Sequence, residues 1–491
     1  MSALLTSRDP RDGSVLAEYP IAGADEVTAA VERAASAARW WADQGFDGRR
    51  EWLLDYKAAI ARGADELAAL ISAETGKPRE DALLEVMLAV EHLDWSARNA
   101  GKVLGRRSVP TGLLGSNQKA TVGYRPYGVV GVIGPWNYPV FTPMGSIAYA
   151  LAAGNAVVFK PSELTPGVGR WLAETFDALS PVAPVLQTIT GDGATGAALC
   201  RAEIGKLAFT GSTATAKKVM ATCAENLTPV VAECGGKDAM IVDADADLDA
   251  AARFAVFGGL GNAGQTCVGV ERIYVHQLVA EDFTARLTEL AARVRVGDSD
   301  ADDYGPMTMP GQAEQVREQV DQALAAGARA RLGGAGSVDG DRISPIVLTD
   351  VPADQPAVTE ETFGPLIVVQ QVRDMDEAVA AANSSRYGLG ASVFTGDRRA
   401  GEALAERLEV GLVTVGSVLG FAAVAALPMG GVKDSGFGRI HGADGLREFA
   451  TASSITVQRF DAPLDLLTLK RRARDMRLAV AALRLRHGRR K

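Results

Sequence analysis

From residue 126 to residue 159 the chain carries no charged side chain. A helix crossing a bilayer would need ~20 apolar residues without a break. Pro135, Pro139 and Pro143 interrupt this run, and a proline inside a helix costs ~3 kcal/mol. The run therefore divides into the elements of a globular domain: YGVVGVI as a buried strand, PWNYP as a turn, TPMGSIAYALAAG as a helix and NAVVFK as a second strand.

The same alternation continues. TPGVGRWLAETFDALS, TGAALCRA and STATAKKVMATCAEN read as helices, with VLQTIT, KLAFT and PVVAE as the strands between and after them. Repeated strand–helix units with continuously apolar strands predict a parallel sheet covered on both faces. Ligands of such sheets bind outside the strand C-termini. That rule directs attention to residues 134–139, 160–163, 191–196, 210–213 and 233–237. Before the sheet, apolar residues at helical spacing predict a helix over 25–44 and more helix within 55–104. A break rich in Gly, Pro and Ser spans 105–120, and QKATVGYRPYG then reads as an extended ribbon. A second α/β region is expected over about 238–437, and SSITVQRF is a late strand with no partner nearby in sequence.

At 491 residues the chain has room for about three domains of ~150 residues. Residues 461–491 hold 10 Lys and Arg against 3 Asp, so the formal total of −9 leaves −16 on the preceding body. An acidic body argues against nucleic-acid binding. Four scattered cysteines are no disulfide framework, and the four histidines show no zinc spacing, so no metal site is expected. The start, MSALLTSRDPRDG, lacks a signal-peptide pattern. A reducing cytoplasm is the expected compartment.

Several short stretches carry candidate chemistry, each with a plainer alternative. GDGATG, from Gly191 to Gly196, matches G-x-G-x-x-G, but no acidic residue closes the next strand, and a tight turn explains it equally. In FTGSTATAKK, Gly211 and Ser212 open a helix whose N–H groups favour a phosphate; Ser212 or Thr213 acting as an ordinary N-cap is compatible with that. Lys160 and Glu163 follow a strand, where a carboxylate could accept from ribose hydroxyls, or the pair could simply cap the next helix. Asn137 in PWNYP is an amide held between prolines, suited to an oxyanion or to bonding its own turn. Glu233 in AECGGKDA is a general base if it lines a cleft, or a partner for Lys237. Cys267 in GNAGQTCVGVERIYV is a nucleophile or a buried apolar residue. Cys200, Cys223 and Cys234 lack comparable surroundings.

Taken together, PWNYP, KPSELTP, FTGST, AECGGKDA, GNAGQTC, EETFGP and PMGGVKDSGFGR resemble, in order and spacing, the aldehyde dehydrogenase superfamily, from about Asp9 to Gln458. The resemblance implies an α/β fold: a Rossmann-like cofactor domain (1–112 and 129–236), an α/β catalytic domain (237–437) and a small β oligomerisation flap (113–128 and 450–460). The basic tail, 461–491, lies outside it. The resemblance matches Cys267 to the nucleophile, Glu233 to the general base and Asn137 to the oxyanion amide. It matches Ile133, Pro135, Trp136, Lys160, Ser162, Glu163, Gly191, Thr210, Gly211, Ser212, Glu361 and Phe363 to cofactor contacts. Of these, Gly191 matches a residue lining the adenine pocket, and Glu361 and Phe363 match those holding the nicotinamide ribose and ring.

The implied reaction is NAD(P)-dependent oxidation of an aldehyde to an acid through a cysteine thiohemiacetal and thioester. Glu163 favours NAD over NADP without excluding NADP. Rival readings are an acylating, coenzyme A-dependent dehydrogenase and a catalytically silent binding protein on the same fold. The loop GSVLGFAAVAALP (416–428) matches the family's substrate mouth and has no charge, which fits a hydrophobic or medium-chain aldehyde. The ERIYV run and the extended tail suggest the branch that includes succinate-semialdehyde dehydrogenases. Three positions depart from the family pattern: Ala216 where glycine is frequent, Gly416 where asparagine is common, and Ile440 where some members carry a proton-relaying glutamate. The tail, with Met476, Val480 and Leu483 on one helical face among arginines, is expected to pack on a subunit or to touch an anionic membrane. A homodimer or homotetramer is implied by resemblance.

Overall fold

A computed structural model describes residues 3–179, 183–462, 464 and 466–488. The first two residues of the expected cofactor region, residues 180–182 within it, and 463, 465 and 489–491 of the basic tail lie outside these. The chain forms two compact units.

The larger unit, residues 1–103 and 126–451, is built on two sheets. In the first, the strand order is Gly436–Phe437, Val230–Cys234, Lys206–Gly211, Val129–Ile133, Ala156–Lys160, Leu186–Thr188. All are parallel except Gly436–Phe437, which runs antiparallel to Val230–Cys234. Val129–Ile133 and Ala156–Lys160 are buried at every position, as strands covered on both faces must be. Helices Phe141–Ala153, Pro166–Asp177, Gly193–Arg201 and Thr213–Ala224 connect them, each where the sequence alternation predicts one. Gly436 and Phe437, at the end of the expected catalytic region, pair with Glu233 and Ala232 of the first sheet.

The second sheet has seven strands, in the order Arg329–Leu332, Ile346–Thr349, Leu366–Val372, Val270–His276, Asp238–Val242, Gly390–Phe394, Leu412–Val415. It is parallel apart from Arg329–Leu332. Its core joins Met240, Ile273, Phe283, Val316, Ile367 and their neighbours. An antiparallel hairpin, Leu4–Arg8 with Val15–Pro20, was not expected from the sequence. Most of its side chains are at least partly exposed, so it lacks the apolar alternation that would announce it.

The smaller unit, residues 104–125 and 452–491, contains most of a three-stranded sheet ordered Ala450–Gln458, Gln118–Pro126, Arg107–Val109. Arg107–Val109 lies in the stretch expected to be a break, and the strand within 113–128 begins only at Gln118. The tail forms a helix, Ala473–His487, with no buried residue. Among the described residues no helix is long and apolar enough to cross a membrane, and no group of three His, Cys, Asp or Glu is placed to hold a metal ion.

Candidate active site

Parallel pairing brings the strand ends of the first sheet to a common edge. Ile133 aligns with both Lys160 and Phe209, Thr210 with Glu233, and Gly211 with Cys234. A cavity of about 1020 Å³ opens at this edge. Its wall carries Ile133, Pro135, Trp136, Asn137, Lys160, Ser162, Glu163, Thr210, Gly211, Ser212, Glu233, Cys267, Glu361 and Phe363. These are all the expected site residues but one. Gly191 is absent from the wall, and Gly193, Gly196 and Ala197 stand at that end instead. In the glycine motif Asp192 serves as an N-cap, its carboxylate accepting from the Ala194 N–H at 2.8 Å. The loop 416–428 also contributes nothing to this wall. It is held elsewhere, by His92 Nε2 donating to the Ala422 carbonyl (2.9 Å) and the Tyr149 hydroxyl to that of Ala425 (3.2 Å).

The cavity matches the chemistry of a dinucleotide. Its volume sits at the upper end of the ~300–1,000 Å³ of small-molecule sites. Ser212 caps the helix Thr213–Ala224, its hydroxyl accepting from Thr215 N–H at 3.3 Å, and the helix dipole there favours a phosphate. Trp136 and Phe363 meet edge to face, with ring centroids 5.6 Å apart. Lys160 is buried and donates to the Pro161 carbonyl at 2.7 Å, with the half-exposed Glu163 carboxylate 3.7 Å away. Burial lowers the Lys160 pKa, and Glu163 and Asp192 partly oppose that. Glu361 accepts from Gly236 N–H at 3.0 Å, and burial pushes its carboxyl up to about 8. Cys200, with Ala197 and Thr222, reaches the same wall, and its thiol is within hydrogen-bonding reach of Cys223.

Asn137, Glu233 and Cys267 come from three separate segments. The Asn137 carbonyl accepts from Lys77 Nζ (2.6 Å) and from Asn262 Nδ2 (3.1 Å), and its amide donates to the Gln265 carbonyl at 2.9 Å. In GNAGQTC, Asn262 and Ala263 adopt left-handed backbone, at φ +54° and +56°. That conformation is uncommon for alanine. Gly264, at φ +71°, packs so closely on the TFGP loop that an added Cβ would lie 2.2 Å from the Gly364 carbonyl oxygen. Cys267 emerges from this turn. Burial, with Asp238, Glu361 and Glu233 nearby, pushes its thiol up to about 12. Glu233 is buried, and neither of its oxygens has a well-formed hydrogen bond. Burial raises its pKa well above 4.5, and Arg439 opposes this only in part. The salt bridge to Lys237 does not form, because Lys237 Nζ lies 2.5 Å from Glu271 instead.

A partly buried thiol, an unpaired buried carboxylate and an anchored amide thus share one cavity with a helix N-terminus. Comparison with known proteins agrees with that chemistry. The model of the aldehyde dehydrogenase family matches residues 2–455. The chain belongs to the aldehyde dehydrogenase family. A 4,4'-diapolycopene aldehyde oxidase from Methylomonas is 38% identical over 443 residues, 90% of this chain and 83% of the relative. A Mycolicibacterium smegmatis protein provisionally named succinate-semialdehyde dehydrogenase (NADP(+)) is 38% identical over 462 residues, 92% of this chain and 89% of its own. Among solved structures, the NADP complex of NADP-dependent glyceraldehyde-3-phosphate dehydrogenase from Bacillus halodurans superposes with a TM-score of 0.88 at 30% identity, covering 93% of this chain and 96% of that one. This aldehyde dehydrogenase is NAD(P)-dependent.

The departures of this dehydrogenase from the family pattern acquire physical reasons. Gly416 adopts φ +75°, a conformation that asparagine also tolerates. Ile440 is buried and exchanges two backbone hydrogen bonds with Met429, at 2.7 and 2.8 Å, so an apolar side chain fills that place. Ala216 is buried in the first turn of its helix.

Three supporting residues of the dehydrogenase escaped the sequence reading. Lys77 forms a buried pair with Glu85 at 2.9 Å, and Glu85 accepts from Val140 and Phe141 N–H at 2.7 and 3.1 Å. Together they clamp the PWNYP turn from both sides. Glu271 accepts from Lys237 Nζ, Thr362 N–H and Phe363 N–H, which fixes the EETFGP loop against the strand Val270–His276 that follows Cys267. The only sequence signal was charge inside otherwise apolar stretches, such as Glu271 in VGVERIYV.

Proposed function

We propose that this enzyme oxidises an apolar aldehyde to the carboxylic acid, with Cys267 as nucleophile, Asn137 as oxyanion donor and Glu233 as the base of hydrolysis. The observation that carries the reading is the Glu233 carboxylate, buried and unpaired on the cavity wall that Cys267 shares. A nicotinamide dinucleotide, when bound, would supply a positive charge beside the partly buried thiol and an acceptor for the hydride lost as the cysteine adduct becomes a thioester. Ser212 and its helix N-terminus would hold the phosphates, Lys160 and Glu163 the adenosine ribose, and Glu361 the nicotinamide ribose. The Cys267 thiol gives up its proton to solvent as its sulfur adds to the carbonyl carbon. The developing oxyanion takes hydrogen bonds from Asn137 Nδ2 and the Cys267 N–H. Glu233 then withdraws a proton from water, which attacks the thioester and releases the acid. Its raised pKa makes it a stronger base than a solvated carboxylate.

An apolar substrate is favoured because no arginine lines the cavity among the described residues. A dicarboxylate semialdehyde would call for such a cation. The relative's name keeps succinate semialdehyde as the second candidate. We place cofactor binding in 1–112 and 129–236 and the catalytic domain in 237–437, and we assign the strands Gln118–Pro126 and Ala450–Gln458 to a homodimer or homotetramer interface. Free cysteines throughout suit a reducing cytoplasm. A panel of medium-chain aldehydes and succinate semialdehyde, each assayed with NAD and NADP, tests the reading. The proposal expects the highest kcat/KM with an uncharged chain, and a preference for succinate semialdehyde would refute it.

A further inference from the structure

We propose that the smaller unit, through its C-terminal segment, docks the enzyme on an anionic lipid surface. Residues 104–125 and 452–491 hold 15 Lys and Arg against 3 Asp, a balance of +12. With −9 overall, the larger unit carries −21. Among the described residues, seven of the 25 exposed large apolar side chains lie after Phe460, outside the strands assigned to the oligomer interface.

The two properties meet at one place. Leu467 and Leu469 are 96% and 100% exposed, and Lys470, Arg471 and Arg472 follow at once. In the helix Ala473–His487, Met476, Val480 and Leu483 share a face, flanked by Arg477 and Arg484 on one side and Arg486 on the other. Leu478 lies on the other side of the helix, where it lines a small cavity with Ala462 and Leu464. The Met476 face is therefore the one turned away from that cavity, and all three of its side chains are exposed. Among the described residues none of the cations after Phe460 is in an ion pair.

Bare leucines beside unpaired cations need a partner that is negative at its surface and apolar beneath. A leaflet of anionic phospholipid has that profile: the leucines enter the acyl boundary while arginines and lysine meet the headgroups. The acidic unit of a second copy would neutralise the cations, but its exposed large apolar side chains are scattered over separate elements. The inference does not depend on which aldehyde is oxidised.

The test is co-sedimentation of the full chain with vesicles of phosphatidylcholine, with or without phosphatidylglycerol, beside the variant carrying Leu467→Ser and Leu469→Ser. The full chain is expected to sediment only with the phosphatidylglycerol vesicles and to be released by raised salt. The variant should bind ~10-fold or more weakly, with NADH formation in solution unchanged. No sedimentation of the full chain, or equal sedimentation of the variant, overturns the proposal. So does a result in which vesicles are ignored and the double substitution instead changes the oligomeric size in solution, since a second copy would then be the occupant.

Discussion

The Asn137 amide donates to the Gln265 carbonyl at 2.9 Å, across 128 residues of sequence. The bond ties the turn after the first strand of one sheet to the segment that carries Cys267. Only one of the two Nδ2 hydrogens is used in this way, which leaves the other for a substrate oxygen. Asn137→Ala removes that donor. We predict a fall in kcat of ~10²–10³-fold, with NAD binding, followed by fluorescence quenching, unchanged.

Lys77 holds the Asn137 carbonyl at 2.6 Å from the opposite side. Lys77→Met leaves Asn137 chemically intact but loosens its backbone and strands the Glu85 carboxylate. Misplacement of a catalytic group by ~1 Å can cost ~10²-fold in rate. Steady-state kinetics should show kcat falling by up to that amount while KM for the cofactor stays near the parent value.

Glu233 links activity and stability to pH with opposite signs. Its folded pKa is raised above 4.5 by burial, so the folded protein holds this proton more tightly than the unfolded chain does. The stabilising effect is complete below the ordinary carboxylate value and is lost as pH rises through the folded pKa. Glu233→Gln should therefore melt higher than the parent, with a gap that widens as pH rises across that window. With Glu233 as the proposed base, activity is expected to run the other way, because the hydrolysis step then needs the carboxylate. The parent's turnover should rise with pH through the same window, and Glu233→Gln should form NADH in a burst and then turn over slowly.

Glu271 is the one carboxylate that both pairs with buried Lys237 and receives the Thr362 and Phe363 N–H groups. Glu271→Ala leaves a buried ammonium without a partner, a loss of ~3–5 kcal/mol. Thermal denaturation should show the lower melting point, and KM for the cofactor should rise because Phe363 and Glu361 lose their anchor.

The parts of this molecule that were legible in its sequence are those whose signal is local. Continuous apolar runs such as VVGVI and AVVFK announce strands buried on both faces, and six of the seven short motifs contribute to the cavity wall. Signals that depend on distant partners were not legible. Lys77 follows a glycine at a helix end, where a lysine is ordinarily solvated, and only folding brings it onto Asn137. Gly191 fits a phosphate-loop pattern by spacing, yet Gly193 and Gly196 form the wall, because a motif fixes glycine positions and not the direction in which the loop faces. The hairpin Leu4–Arg8 with Val15–Pro20 was missed because little of it is buried.

The central claim is that Cys267 is the atom to which the aldehyde carbon becomes bonded. Cys267→Ala, assayed for aldehyde-dependent NADH formation under conditions where the parent turns over, tests it most directly. No NADH above background is expected, in the burst or in steady state, from a variant that still binds NAD. Turnover near the parent rate would contradict it.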